Sequence, residues 1–139
     1  MILDIKEMVY QDKWFPLDEA EVLEKNFFKG YEYFIKNRGY YPSAYIALRE
    51  GQPFYKARLY EDVDVNCHGN CVYVVREADK TTIGWDYNKL SDYHGGTSYV
   101  QRLLTKESAK VWTTEEIVEE CKQVIEQLYL REHPELYYK

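Results

Sequence analysis

Apolar residues recur along this chain with two different periods, and the period changes twice. Over residues 18–38, Ala20, Leu23, Phe27, Tyr31, Phe34 and Ile35 fall on one stripe at helical spacing. Asp18 and Glu21 stand three apart, as in a capping box, and Gly39 is a natural stop. That pattern predicts an amphipathic helix. A second helix is predicted over 113–132, where Thr113 and Glu116 form a capping box and Ile117, Cys121, Val124, Ile125 and Leu128 make the apolar stripe. Glu115, Glu116, Glu119 and Glu120 crowd its N-terminal turns, where the helix dipole favours anions, and Pro134 ends it.

Between the helices the chain reads as strands. "SAYIALRE" (43–50) ends at "GQP", "LYEDVDVN" (59–66) alternates apolar and acidic residues, and 71–77 and 81–87 are rich in β-branched and aromatic residues. "HGNC" and "ADKT" are short enough for hairpin loops, so 59–66, 71–77 and 81–87 are expected to form an antiparallel meander. The first ten residues read as a short strand or an irregular lead-in, residues 88–99 as a long loop, and "VQRLLT" from Val100 as a short strand or helix. The fold class that follows is α+β: a small antiparallel sheet of about four to five strands packed against two amphipathic helices, at about 18–38 and 113–132.

Length and composition fit that reading. The 139 residues suit one domain, 1–139, able to bury a core of its own, and the 45% hydrophobic and 30% charged content is that of an ordinary globular chain. No apolar run approaches the roughly 20 residues needed to span a bilayer. "MILDIKEMVYQDKWF" lacks a basic leader and a cleavage site, so a cytoplasmic location is expected. The three cysteines cannot all pair and are expected as thiols. The net charge of −6, with Lys and Arg scattered singly, disfavours direct nucleic-acid binding, although a small basic pocket is compatible with it. The 15 tyrosines suit half-buried strands and binding surfaces alike.

Two stretches hold chemically capable residues. "CHGNC" (67–71) offers Cys67, His68 and Cys71, with His94 as a remote fourth ligand, for zinc; the alternative is a bend between strands with small, inward-facing thiols. A catalytic cysteine is disfavoured, because His68 beside Cys67 in an extended chain points the other way. Cys121, on the helix stripe, belongs to the core. "IGWDYNKLSDYHGG" (83–96) sets Asp86 and Asp92 either side of Lys89, followed by His94 and two glycines. Such a loop either holds a polar cluster, for a hard cation or acid–base work, or has carboxylates that cap turns and a solvated lysine. No cofactor fingerprint is present: "HGG" lacks the Gly-Lys-Ser/Thr and strand-to-helix setting of a phosphate loop.

Taken in order, "GYYPSAYIAL", "VDVNCHGNCVYV", "TTIGWDYNKLSDY" and "WTTEEIVEECKQVIEQL" resemble a family of small bacteriophage- and prophage-encoded proteins of unassigned function. Its pattern is a Gly-Tyr strand, a V-H-G-G-L/I-T-Y turn, an I-G-F/W-D-x-x-H-x-G-D segment and an acidic C-terminal helix ending in Gln-Leu. The resemblance covers roughly residues 39–128. His68 and Gly69 match the turn; Gly84, Trp85, Asp86 and Asp92 match the second segment. Asn70 stands in place of the second turn glycine, Lys89 in place of His, and Ser91 in place of Gly. Lys is a poor metal ligand at neutral pH but holds anions as a point charge, so the resemblance shifts the expectation from metal catalysis toward binding. It also implies that His68 and Asp86 face each other, with Asp92 in the same cluster.

The resulting expectation is a phage-type accessory protein that binds a host protein or a small anionic ligand in the host cytoplasm, as a counter-defence or host-takeover factor. Its binding residues are His68, Gly69, Trp85, Asp86, Lys89, Asp92 and His94. The alternatives are a hydrolase-like or metal-dependent enzyme using His68, Asp86 and Asp92, and a structural subunit forming a homo-oligomer through an exposed sheet edge or helix faces.

Overall fold

A computed structural model describes residues 5–89, 91–95 and 109–137. Its centre is a five-stranded antiparallel sheet in the order β1-β2-β3-β5-β4. The strands are β1 (Glu21–Phe28), β2 (Tyr31–Asn37), β3 (Pro42–Leu48), β4 (Tyr73–Arg76) and β5 (Thr81–Asp86). One long helix, α1 (Thr114–Glu132), lies across one face, and a single turn of helix, α2 (Pro134–Tyr137), follows it. The fold is therefore α+β, as the sequence pattern predicts.

The segment 18–38 is not a helix. Glu21–Phe28 and Tyr31–Asn37 form an antiparallel hairpin joined by Lys29 and Gly30, both at positive φ (50° and 85°), between the paired residues Phe28 and Tyr31. Positive φ at both central residues is the geometry of the favoured two-residue hairpin turn, and glycine at the second supplies it without steric cost. The deciding pattern is in β2, where Tyr31, Tyr33 and Ile35 are buried and Glu32, Phe34 and Lys36 less so, a period of two. Phe27, placed on the apolar stripe by the helical reading, is 64% exposed.

The segment 59–66 is not a strand either. It contains a 3-10 turn (Tyr60–Asp62) and then an extended run whose alternation is real: Val63 and Val65 are buried, Asp64 and Asn66 exposed. Its backbone is satisfied by helix side chains instead of a neighbouring strand. Gln127 accepts from the Asn66 amide and donates to the Asn66 carbonyl, both at 2.7 Å, and Arg131 reaches the Asp64 carbonyl. The expected meander is thus a hairpin, β4–β5, and the other neighbour of β5 is β3. The lead-in from Ile5 is irregular, and "VQRLLT" lies outside the described residues.

The core lies between the sheet and α1. Tyr33 and Ile35 of β2, Ala44 and Ile46 of β3, and Ile83 and Trp85 of β5 meet Ile117, Cys121, Val124, Ile125 and Leu128 of the helix. Thr113 caps α1: its side chain accepts from the Glu116 amide while Glu116 accepts from the Thr113 amide at 3.0 Å. The opposite, outer face of the sheet carries a row of rings. Phe34 stacks on Tyr45 (centroids 5.0 Å apart), and Tyr45 meets Tyr73 edge-on at 5.2 Å. Tyr45 lies so close to Gly84 that a Cβ there would come within 2.4 Å of its ring, so β5 needs glycine at this point. Among the described residues, no helix is long and apolar enough to cross a membrane.

Candidate functional site

His68 sits in the tight turn that opens this candidate region. The Asn70 amide donates to the Cys67 carbonyl at 3.3 Å, and Gly69 and Asn70 both take positive φ, 70° and 75°. The turn lifts His68 out of the extended run and sets it on the end of β5. There its ring lies parallel to Tyr87, at 4.6 Å and 8°, and edge-on to Trp112 at 5.1 Å. The imidazole Nε2 is 2.6 Å from Asp92 Oδ2.

Asp92 is 1% exposed and carries three hydrogen bonds. Besides His68, the Lys89 amide donates to Oδ2 and the Trp112 indole N–H donates to Oδ1, both at 2.9 Å. A buried carboxylate needs such donors, since an unpaired one costs several kcal/mol. The network extends inward. Trp85 donates to the Tyr87 hydroxyl at 3.0 Å, and that hydroxyl donates to Glu120 of α1. Burial first, and Glu120 second, push the Tyr87 phenol well above its ordinary value, so it stays a donor. The Tyr10 hydroxyl donates to the Trp112 carbonyl at 2.9 Å and accepts from the Trp112 amide at 3.1 Å. Lys110 lies over the Trp112 ring at 4.5 Å and pairs with Glu116 at 2.7 Å. The turn 67–71, the loop after β5, the N-terminal segment and the entry to α1 are thereby clasped together.

Of the residues singled out in the sequence, His68 and Asp92 do meet. Lys89 joins them through its backbone, and its side chain packs on Gly69, where a Cβ would come within 2.0 Å of Lys89 Cε. Trp85 belongs to the core. Asp86 does not face His68: alternation along β5 sends Trp85 and Tyr87 toward the helix and Asp86 to the outer face. Asp86 pairs in register with Ser43, and burial raises its carboxyl, with Arg38 and Lys89 opposing. His94 lies by Tyr41, at 5.8 Å between ring centroids. The zinc set does not assemble: His68 is held by Asp92, Cys71 donates to the Tyr73 carbonyl at 3.3 Å, and the described residues hold no group of three or more His, Cys, Asp or Glu able to bind a metal ion. Burial chiefly, with Cys71 and Glu120 adding to it, pushes the Cys67 thiol up to about 12, far from a reactive thiolate.

Tyr87, Trp112, Glu120 and Tyr10 are the members that sequence reasoning missed. Tyr87 was within reach of it, being in phase with Trp85 on the inner face. Chemically, the arrangement fixes a partly exposed imidazole through Nε2 and leaves Nδ1 without a hydrogen bond to another described residue. That is the orienting half of an acid–base pair.

A second feature lies at the other end of the sheet, beyond Leu48 and Thr81. The loop 50–62 borders an open recess of about 480 Å³, lined among others by Glu50, Phe54, Tyr55, Lys56 and Asp62. Phe54 adopts φ 64°, a conformation that bulky residues seldom take.

Compared with family models, curated proteins and solved structures, the chain matches none of them.

Proposed function

We propose that this protein acts by binding, as a phage-type accessory protein that docks a host protein on the outer face of its sheet. The phage assignment rests on the sequence resemblance alone. The observation that carries the docking reading is the run of rings across that face. Phe34 and Tyr73, both half-buried, pack on either side of Tyr45, itself only 1% exposed, across β2, β3 and β4, and Phe27 (64% exposed) at one edge and Val75 (39% exposed) at the other carry the apolar strip to the surface. Exposed apolar residues that adjoin one another mark interaction surfaces, and aromatic rings contribute most of the energy in such interfaces. Lys25 and Arg49 both reach Glu32 beside the rings, giving the strip a polar rim.

The test is capture of a partner by tagged wild-type protein, by Phe27→Ser/Phe34→Ser and by His68→Asn. Loss of a specific partner in the first variant and its retention in the second supports docking on the sheet. Equal capture by all three proteins removes this reading.

A second reading, acid–base catalysis, is favoured by one specific observation: the 2.6 Å contact between His68 and buried Asp92, which orients the imidazole. It requires that His68→Asn abolish a turnover while leaving the denaturation midpoint close to wild type.

A further inference from the structure

The polar groups around His68 are mostly spent on one another, whereas the charged side chains Glu50, Lys56 and Asp62 lining the 50–62 recess are exposed and only partly engaged within the chain. The Glu50 carboxylate and the Lys56 ammonium make no hydrogen bond or ion pair among the described residues. Asp62 spends Oδ2 on the Arg58 and Leu59 amides, both at 3.1 Å, and its Oδ1 makes no bond there. The same two amides hold the Asp62 carboxyl below its ordinary value, so it is ionised. Two carboxylates therefore stand against one ammonium in a recess whose volume is in the range of small-ligand sites.

The rings in the lining point the same way. Phe54 carries the Arg131 guanidinium at 5.0 Å and Tyr55 the Arg76 guanidinium at 5.5 Å, so both already serve as platforms for cations. Those two arginines are otherwise engaged: Arg131 pairs with Asp64 at 2.8 Å, and Arg76 donates to the Lys56 carbonyl at 3.3 Å. Neither lines the recess.

We propose that the recess beside the 50–62 loop is a binding site for an organic cation, a guanidinium or alkylammonium group on an apolar stem. The stem lies against Phe54 and Tyr55, and the charge meets Glu50 and the open oxygen of Asp62. Lys56 competes for the same carboxylates and sets the affinity. This site is separate from the outer sheet face, and its failure would leave docking there untouched.

The experiment is an amide NMR titration of the full chain, following Gly51, Phe54 and Ala57. The probes are N-acetyl-arginine amide, agmatine and the neutral isostere N-acetyl-citrulline amide. The expected result is a saturable shift with both cations, at a Kd on the order of 1 mM, and none with citrulline. Glu50→Gln weakens binding about three- to fivefold, and Lys56→Gln tightens it by a similar factor. Tighter binding of the arginine amide identifies a side chain of a partner protein as the source; tighter binding of agmatine identifies a free amine. No saturable shift by about 10 mM, equal binding of citrulline, or an unchanged Kd in Glu50→Gln overturns the proposal. Both substituted side chains are solvent-facing, so the variants keep the fold.

Discussion

The two ends of the sheet treat their polar groups in opposite ways. At the end where β3 begins and β5 finishes, Asp92 bonds to His68 and Trp112, Tyr87 packs on both rings and bonds to Glu120, and Tyr10 bonds to Trp112, so that four segments are held together. At the end where β3 finishes and β5 begins, the 50–62 loop borders an open recess whose lining includes an exposed carboxylate and an exposed ammonium with no partner among the described residues. The first end is rich in the residue types that usually signal chemistry, and it uses nearly all of them to hold the fold, leaving His68 Nδ1 open among the described residues. The second reads in sequence as a bland loop, and its charges are available to something else. A histidine or aspartate indicates function by what it leaves unbonded more than by its presence.

The contrast predicts its own largest effect. Asp92→Ala removes the acceptor for His68, for the Lys89 amide and for the Trp112 indole, leaving buried donors unpaired beneath Tyr87. The expected loss is about 2–5 kcal/mol of stability, since each buried donor left without its acceptor costs about 1–3 kcal/mol. Urea denaturation measures it. A loss below about 1 kcal/mol would show that the clasp contributes little, and would return the His68 end to the list of sites with free capacity.

Sequence reasoning placed α1 correctly because three signals agree there: a capping box at Thr113 and Glu116, an apolar stripe, and enough length. Over 21–37 the signals conflict. Leu23, Phe27 and Tyr31 are spaced for a helix, while Tyr31, Tyr33 and Ile35 alternate as a strand does. The Lys29-Gly30 turn settles the matter, and glycine within a supposed helix was the local hint of it. The pairing of His68 with Asp86 failed on the same period of two. Once Trp85 faces the helix, Asp86 must face away, and Asp92, beyond the strand, is free to return to His68. Trp112 was not legible as a member, since nothing local places the residue before a helix cap against a turn some forty residues earlier. The recess was invisible for a different reason: it depends on how the loop folds, and no residue type announces it.

A smaller effect sharpens the comparison of the two faces near the His68 end. Glu116 has its carboxyl held below the ordinary range, first by Lys110 and then by the Thr113 amide. Its folded value lies below its unfolded value of about 4.3, so its contribution is present above that pH and fades as pH falls through the folded value. Asp86 is the reverse. Burial raises it, so the folded chain binds its proton more tightly than the unfolded chain does. Its effect on stability is most favourable below about 4 and is lost as pH rises through the folded value. Denaturant midpoints across mildly acidic pH should therefore show wild type gaining on Glu116→Gln, and losing ground to Asp86→Asn, as pH rises. Slopes of the same sign for both variants would mean that one of these carboxylates sits in a different environment.

The smallest effect belongs to the open end. Glu50→Gln and Lys56→Gln remove charges that hold nothing in place, so each should change stability by less than about 0.5 kcal/mol at neutral pH, the usual result for surface substitutions away from a specific contact. Thermal and urea denaturation of both variants measure it. A marked loss in either would mean that the charge is engaged within the loop, supporting the Phe54 turn, and is not available to a ligand. Near-identical midpoints, set beside the large loss expected for Asp92→Ala, would separate the two ends by function: one holds the chain together, and the other can give up its charges without cost to the fold.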